Sequence, residues 1–122
     1  MATRHSDRIS LTAASDLSAK QNLFIKVSGD NGCDQCGAGQ DAIGVSDPQC
    51  KATSGSPQSV LTGPRVAVTL AATLVAGAEV MSDANGKAIA WVTANRSLGY
   101  LLVGGNSGDV REMLFAPNGR KA

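Results

Sequence analysis

The residues of this chain best suited to chemistry are its cysteines. Gly32-Cys33-Asp34-Gln35-Cys36-Gly37 holds a C-x2-C pair, and Cys50 is the third cysteine. Two thiolates spaced this way on a tight turn can grip one face of a zinc ion; Cys50 would supply a third ligand, and His5 or Asp34 a fourth. Structural zinc sites usually show two such pairs, or one pair followed by a histidine pair, and here the second half is missing. Thioredoxin-type redox chemistry wants the pair at a helix N-terminus in a βαβ unit, where the thiolate is stabilised. This pair instead sits in a Gly-rich stretch between strand-like runs. The simpler reading, adopted here, is a loop with free cysteines, or with one pair joined as a disulfide after release from a reducing cytosol. The sequence therefore assigns no metal and no cofactor, with Cys33, Cys36 and Cys50 kept only as zinc candidates.

The remaining polar residues yield no catalytic set. His5 is the single histidine and stands in the polar stretch Met1-Ala2-Thr3-Arg4-His5-Ser6-Asp7-Arg8, with no neighbouring nucleophile for it to activate. Asp30, Asp34, Asp41, Asp47, Asp83 and Asp109 fall mostly in turn-like contexts, where aspartate caps backbone N–H groups. That role displaces a carboxylate pair for glycoside hydrolysis. Asp83-Ala84-Asn85-Gly86 lacks the acidic spacing of a calcium loop, and Gly104-Gly105-Asn106-Ser107-Gly108 lacks the lysine and helix of a phosphate cradle. Arg65, Arg96 and Arg111 read as strand-edge or turn charges, although arginine is also favoured at protein interfaces. Trp91 is placed in the core, with an interface anchor as the alternative. The chain reads as a non-enzyme.

What must position these residues is a β scaffold. The 122 residues form one domain, long enough to bury roughly two-thirds of the unfolded surface. Hydrophobic residues are 43% of the chain but aromatics only 3%, so Val, Leu, Ile and Ala must build thin, tightly packed layers. The eleven Lys and Arg against ten Asp and Glu are scattered, which lacks the basic stripe that nucleic-acid binding needs. No apolar run reaches the length of about 18 residues that spans a membrane, and the N-terminus has no apolar signal region. The chain is expected to be made in a cytosol.

Alternation of apolar and polar residues predicts strands at 9–13 and 65–70, the latter with Val66, Val68 and Leu70 on one face. Residues 23–27 also read as a strand, 42–45 as a short buried strand, and 60–64 as the run before the second alternating strand. Residues 14–22 are expected to form a helical turn capped by Ser15 or Asp16. Residues 33–39 read as an irregular loop, 47–59 as a long surface loop, and Gly63-Pro64 as a turn or bend. Residues 71–77 are assigned mostly to strand and loop. Val80, Met81, Ile89, Trp91 and Val92 flank Asn85-Gly86, the strongest short hairpin signal, for which a type I′ turn with positive φ at both residues is expected. Residues 98–103 and 110–115 form a second hairpin. The expected fold is all-β: a small sandwich or barrel of about eight short strands with at most one short helix. Residues 1–8 would be a flexible arm, 9–116 the β domain and 117–122 a tail.

The order of these signals resembles a known family. Asp16-Leu17-Ser18-Ala19-Lys20-Gln21, then Phe24-Ile25-Lys26-Val27 and Ala38-Gly39-Gln40-Asp41-Ala42-Ile43-Gly44-Val45, is similar to the opening of tailed-phage capsid cement (head decoration) proteins. Ala76-Gly77-Ala78-Glu79-Val80-Met81-Ser82-Asp83-Ala84-Asn85-Gly86-Lys87-Ala88 resembles their hairpin, and Ser97-Leu98-Gly99-Tyr100 and Gly108-Asp109-Val110 resemble later positions. The resemblance covers roughly residues 9–116, and only order and spacing carry it; the cysteines of 32–37 fall outside it. It implies a non-enzymatic protein on the outer surface of a virion, commonly a homotrimer, that clamps neighbouring major capsid protein subunits. Two alternatives remain open from sequence: a virion-surface β-module that binds host glycan or protein, and a small cysteine-based zinc protein.

Overall fold

The alternation of Val66, Val68 and Leu70 lies in the longest strand of the molecule, and that strand organises the rest. The computed structural model describes residues 6–92 and 97–116, with Ser6 and Asp7 as backbone only. Among the described residues there are nine strands and no helix: β1 Ser6–Ala13, β2 Phe24–Val27, β3 Gly32–Gln35, β4 Gly44–Ser46, β5 Pro57–Thr69, β6 Glu79–Ser82, β7 Ala88–Ala90, β8 Gly99–Leu101 and β9 Val110–Phe115.

The 13-residue β5 belongs to two sheets. Its first half pairs antiparallel with β1, from Thr12↔Pro57 to Ser6↔Pro64, and with β4 at Val45↔Leu61. β4 pairs with β2, β2 with β3, and β3 returns to β1 in parallel at Thr12↔Gly32. These five strands close a small barrel. From Arg65 to Thr69, β5 changes partner and pairs with β9, after which the order runs β8, β6, β7. A bridge from Leu70 to Ala88, with Ala71 N donating to Ala88 O at 2.9 Å, brings the chain just past β5 beside β7. The second sheet therefore also curls most of the way round.

Side-chain alternation divides the interior into two cores. Ala13, Leu17, Ile25, Cys33, Ala52 and Val60 form the core on the barrel side. The larger core draws Val66, Val68, Val80, Leu101, Met113 and Phe115 from β5 and the second sheet, and is completed by Phe24 and Val45 of the barrel. Successive residues of a strand face opposite sides, so Phe24 and Ile25, both without solvent exposure, enter different cores. β2 is thus a wall with apolar packing on both faces. Phe24 and Phe115, with ring centroids 6.4 Å apart, join the barrel to the second sheet.

Several expectations change at this point. Strand β3 replaces the irregular loop expected at 33–35, while 60–64 and 65–70 merge into β5. The irregularity expected at Gly63-Pro64 falls inside that strand, where Gly63 has φ +98° and the register against β1 shifts between Asp7 and Arg8. β1 begins at Ser6, so residues 6–8 are strand rather than arm; residues 1–5 and the expected tail 117–122 lie outside the described residues. The 47–59 stretch is not all surface loop, because 57–59 join β5 and both Asp47 and Gln58 are buried.

The helical turn at 14–22 does not form. Asp16 Oδ1 accepts from Ser18 N at 3.0 Å, and the single bond from Lys20 N to Leu17 O is not continued. Side chains that bond the local backbone offer it an alternative to helix. The Ser18 side chain, together with this backbone N–H, holds the Asp16 carboxyl below its ordinary pKa by hydrogen bonding.

The Asn85-Gly86 hairpin forms, but without a type I′ turn: Gly86 has φ +78° and Asn85 is not among the positive-φ residues. Asp83 decides the geometry, its Oδ1 accepting from Asn85 N at 2.8 Å and Lys87 N at 2.9 Å. The turn is docked on the barrel, since Phe24 N donates to Gly86 O at 2.7 Å.

Candidate functional site

The cysteines come first, because strand β3 settles their geometry. Cys33 lies in β3 opposite Val27 and enters the barrel core; Cys36, just past the strand, enters the larger core. Residues three apart on an extended chain face opposite sides, so the C-x2-C pair does not form a metal knuckle. Cys50 packs against the core that contains Cys33, and its Sγ accepts from Ser59 N at 3.3 Å. Asp34 is occupied by Ser15 Oγ at 2.7 Å and its neighbour Gln35 N at 2.8 Å. His5 lies outside the described residues. Among the described residues, no group of three or more His, Cys, Asp or Glu side chains is placed to hold a metal ion.

Burial pushes the thiols of Cys33 and Cys36 above their ordinary pKa, for Cys36 against the opposing effect of a hydrogen bond with Ser82. The folded state therefore holds both protons more tightly than the unfolded chain. Stability from this source is complete below the ordinary thiol pKa of about 8.5 and is lost as pH rises past it. Urea midpoints at neutral and alkaline pH should show this fall, with a shallower slope in the Cys33→Ala/Cys36→Ala variant; equal slopes would refute it. In native buffer a maleimide should label Cys50, which is half-buried, well before Cys33 or Cys36. Simultaneous labelling of all three would contradict this placement.

Turn-capping accounts for several of the carboxylates. Asp109 Oδ2 accepts from Asn106 N at 2.9 Å and from Arg111 at 3.2 Å, and Asp83 caps the first hairpin. Arg111 Nε also donates to Gly104 O at 3.1 Å, closing the second hairpin; Arg96 lies outside the described residues. Trp91 is not a core residue: it is half-buried and belongs to neither core, with its backbone N donating to Glu79 O at 2.8 Å.

The exposed apolar surface is unevenly distributed. Among the described residues nine large hydrophobic residues are exposed: Ile9 and Val27 belong to the barrel, whereas Val75, Val92, Tyr100, Leu102, Val103, Val110 and Leu114 all belong to the second-sheet half. Tyr100 and Leu114 are directly opposed across β8 and β9. Adjacent exposed apolar groups, as at Tyr100 and Leu114, mark an interaction surface better than single ones do.

A second feature lies on the seam where β5 changes partner. A cleft of about 230 Å³ has Arg8, Asn22, Asp47 and Gln49 on the barrel side and Arg65 and Glu112 on the second sheet. Leu61 and Val66 add apolar lining. Asp47 is 5% exposed; its Oδ2 accepts from Arg8 Nη1 at 2.8 Å and its Oδ1 from Gln49 N at 2.9 Å. Arg65 pairs with Glu112, its Nε donating at 2.7 Å. No local motif marks this cleft in the sequence, since its residues are scattered from position 8 to position 112 and only the closing of both sheets on β5 gathers them.

Neither a family model nor a curated protein matches this chain. Among solved structures, the chain is similar to the N base of head fiber gp8.5 in bacteriophage phi29, with a TM-score of 0.68 at 14% sequence identity. The match covers 92% of this chain and 95% of that one. The likeness is one of fold. It runs nearly end to end, so it includes both the closed barrel and the second sheet.

Proposed function

We propose that this protein is a structural, non-enzymatic component of a phage head, one that binds the outside of the assembled shell and stabilises contacts between major capsid protein subunits. The observation that carries the reading is the near-complete match of fold to the base of a phage head fiber. The ordered turn motifs that resemble capsid cement proteins support it from the sequence side. The apolar surface on the second-sheet half supplies a place for contact, either with the shell or between copies in a homotrimer. A trimer would gain by multivalency, because the second and third contacts become intramolecular once the first has formed.

The test is to mix the purified protein with undecorated capsids of the source phage. Co-sedimentation and a raised capsid melting temperature are expected; the absence of both would overturn the reading. Light scattering on the free protein should report a trimer, and a monomer would remove the preassembled clamp. Val103→Glu, at a side chain 44% exposed, should leave the melting temperature of the free protein nearly unchanged while weakening trimer or capsid association more than tenfold. Unchanged association in that variant would place the contact elsewhere.

A further inference from the structure

We propose that the seam cleft binds one sugar residue of a glycan, a role separate from capsid attachment. The cleft walls hold unspent hydrogen-bonding capacity. The side-chain amides of Asn22 and Gln49 make no hydrogen bond to the described residues, and Arg8 spends one N–H on Asp47. Arg65 directs Nε and Nη2 at Glu112, in a pair with both partners substantially exposed. Such a pair contributes little to stability and yields readily to a ligand.

The charge of the cleft narrows the ligand class. Two arginines face two carboxylates, so neither an anion nor a cation is strongly preferred. What the walls offer is a set of planar groups, two amides, two guanidinium groups and two carboxylates, that together present donors and acceptors. A hydroxyl group donates and accepts at once, and a ring bearing several adjacent hydroxyls matches such walls without requiring net charge. Leu61 and Val66 give its C–H surface an apolar contact. The volume of about 230 Å³ lies below the roughly 300–1,000 Å³ of drug-sized sites, which suits a single ring.

Backbone conformation supplies an independent observation. Asn22 has φ +59°, in the left-handed region. It is held there from both halves of the molecule: its N donates to Ser46 O at 3.1 Å, and its carbonyl accepts from Thr69 N at 2.8 Å. Asparagine adopts this region more readily than most residues, and what points to a binding role is its fixed place on the cleft wall with its amide unspent.

The experiment is an amide NMR titration of the intact protein with glucose, galactose, N-acetylglucosamine and rhamnose, with sodium acetate and galacturonic acid as charged arms. At least one neutral sugar should shift the resonances of Asn22, Gln49 and Arg65. Asn22→Gly accepts the positive φ and removes only the amide, and it should weaken that binding about tenfold. Arg65→Gln, at an exposed position, gives a second variant with the same expected direction. A response to acetate and galacturonic acid alone would overturn the proposal in favour of an anion site. No response to any neutral sugar, or unchanged affinity in both variants, would overturn it outright. Either failure would leave capsid co-sedimentation unaffected, so the two readings separate.

Discussion

Phe24→Ala is expected to cost about 3–5 kcal/mol of folding free energy. Phe24 has no solvent exposure, and its ring packs against Phe115 of the opposite half. Removing it leaves a cavity at the junction of the barrel with the larger core, where backbone hydrogen bonds hold both walls. Phe24 N donates to Gly86 O at 2.7 Å and Cys36 N to Phe24 O at 2.9 Å, so collapse into the space is restricted. A domain of this size has on the order of 5–15 kcal/mol to lose. Chemical denaturation should therefore show a variant near its limit, with both halves unfolding in one transition. A loss under about 1 kcal/mol would mean that the ring does not couple the halves.

Gly99→Ala should be comparably severe for a different reason. Gly99 has φ +139°, and a Cβ there would press against the carbonyl oxygen of Leu114 and lie 2.9 Å from Ala116 N. Both atoms belong to a backbone pinned by pairing, at Gly99↔Phe115 and through Ala116 N to Leu98 O at 3.0 Å. β8 stands between β9 and β6, so a shift there disturbs two ladders. Gly77 provides the control: its φ is +91°, but nothing lies within 4 Å of the added Cβ. Gly77→Ala should lose only the conformational term, about 1–2 kcal/mol, while Gly99→Ala should lose about 3 kcal/mol or more. Equal thermal shifts in the two variants would show that the contact with Leu114 relaxes freely.

Strand identity was legible where alternation was strong, as at Val66, Val68 and Leu70, and where a turn signal framed the run, as at Val80 and Met81 beside Asn85-Gly86. It failed at β3. Gly32–Gln35 reads as a loop because its glycine and polar residues hide the alternation, and only pairing with β1 and β2 makes it a strand. The same misreading kept the C-x2-C pair open as a zinc candidate. Asp83 illustrates a different limit: Asn85-Gly86 located the hairpin correctly, yet a carboxylate two residues earlier chose the turn. Trp91 was misplaced because size and hydrophobicity say that a residue wants cover, not which surface supplies it. The seam cleft was invisible because nothing in the chain records that β5 would be shared.

The sharing of β5 also orders events on the ribosome. β1 is finished long before Pro57–Thr69 is made, so the barrel stays open until the first half of β5 emerges and pairs with it. Once that half has closed the barrel, the second half presents Val66 and Val68 as an apolar template with an unpaired edge. β9, the strand that pairs with that edge, is the last of the nine described strands to be made. A chain that stalls before Val110 would leave that half of β5 without its partner strand, an edge open to aggregation.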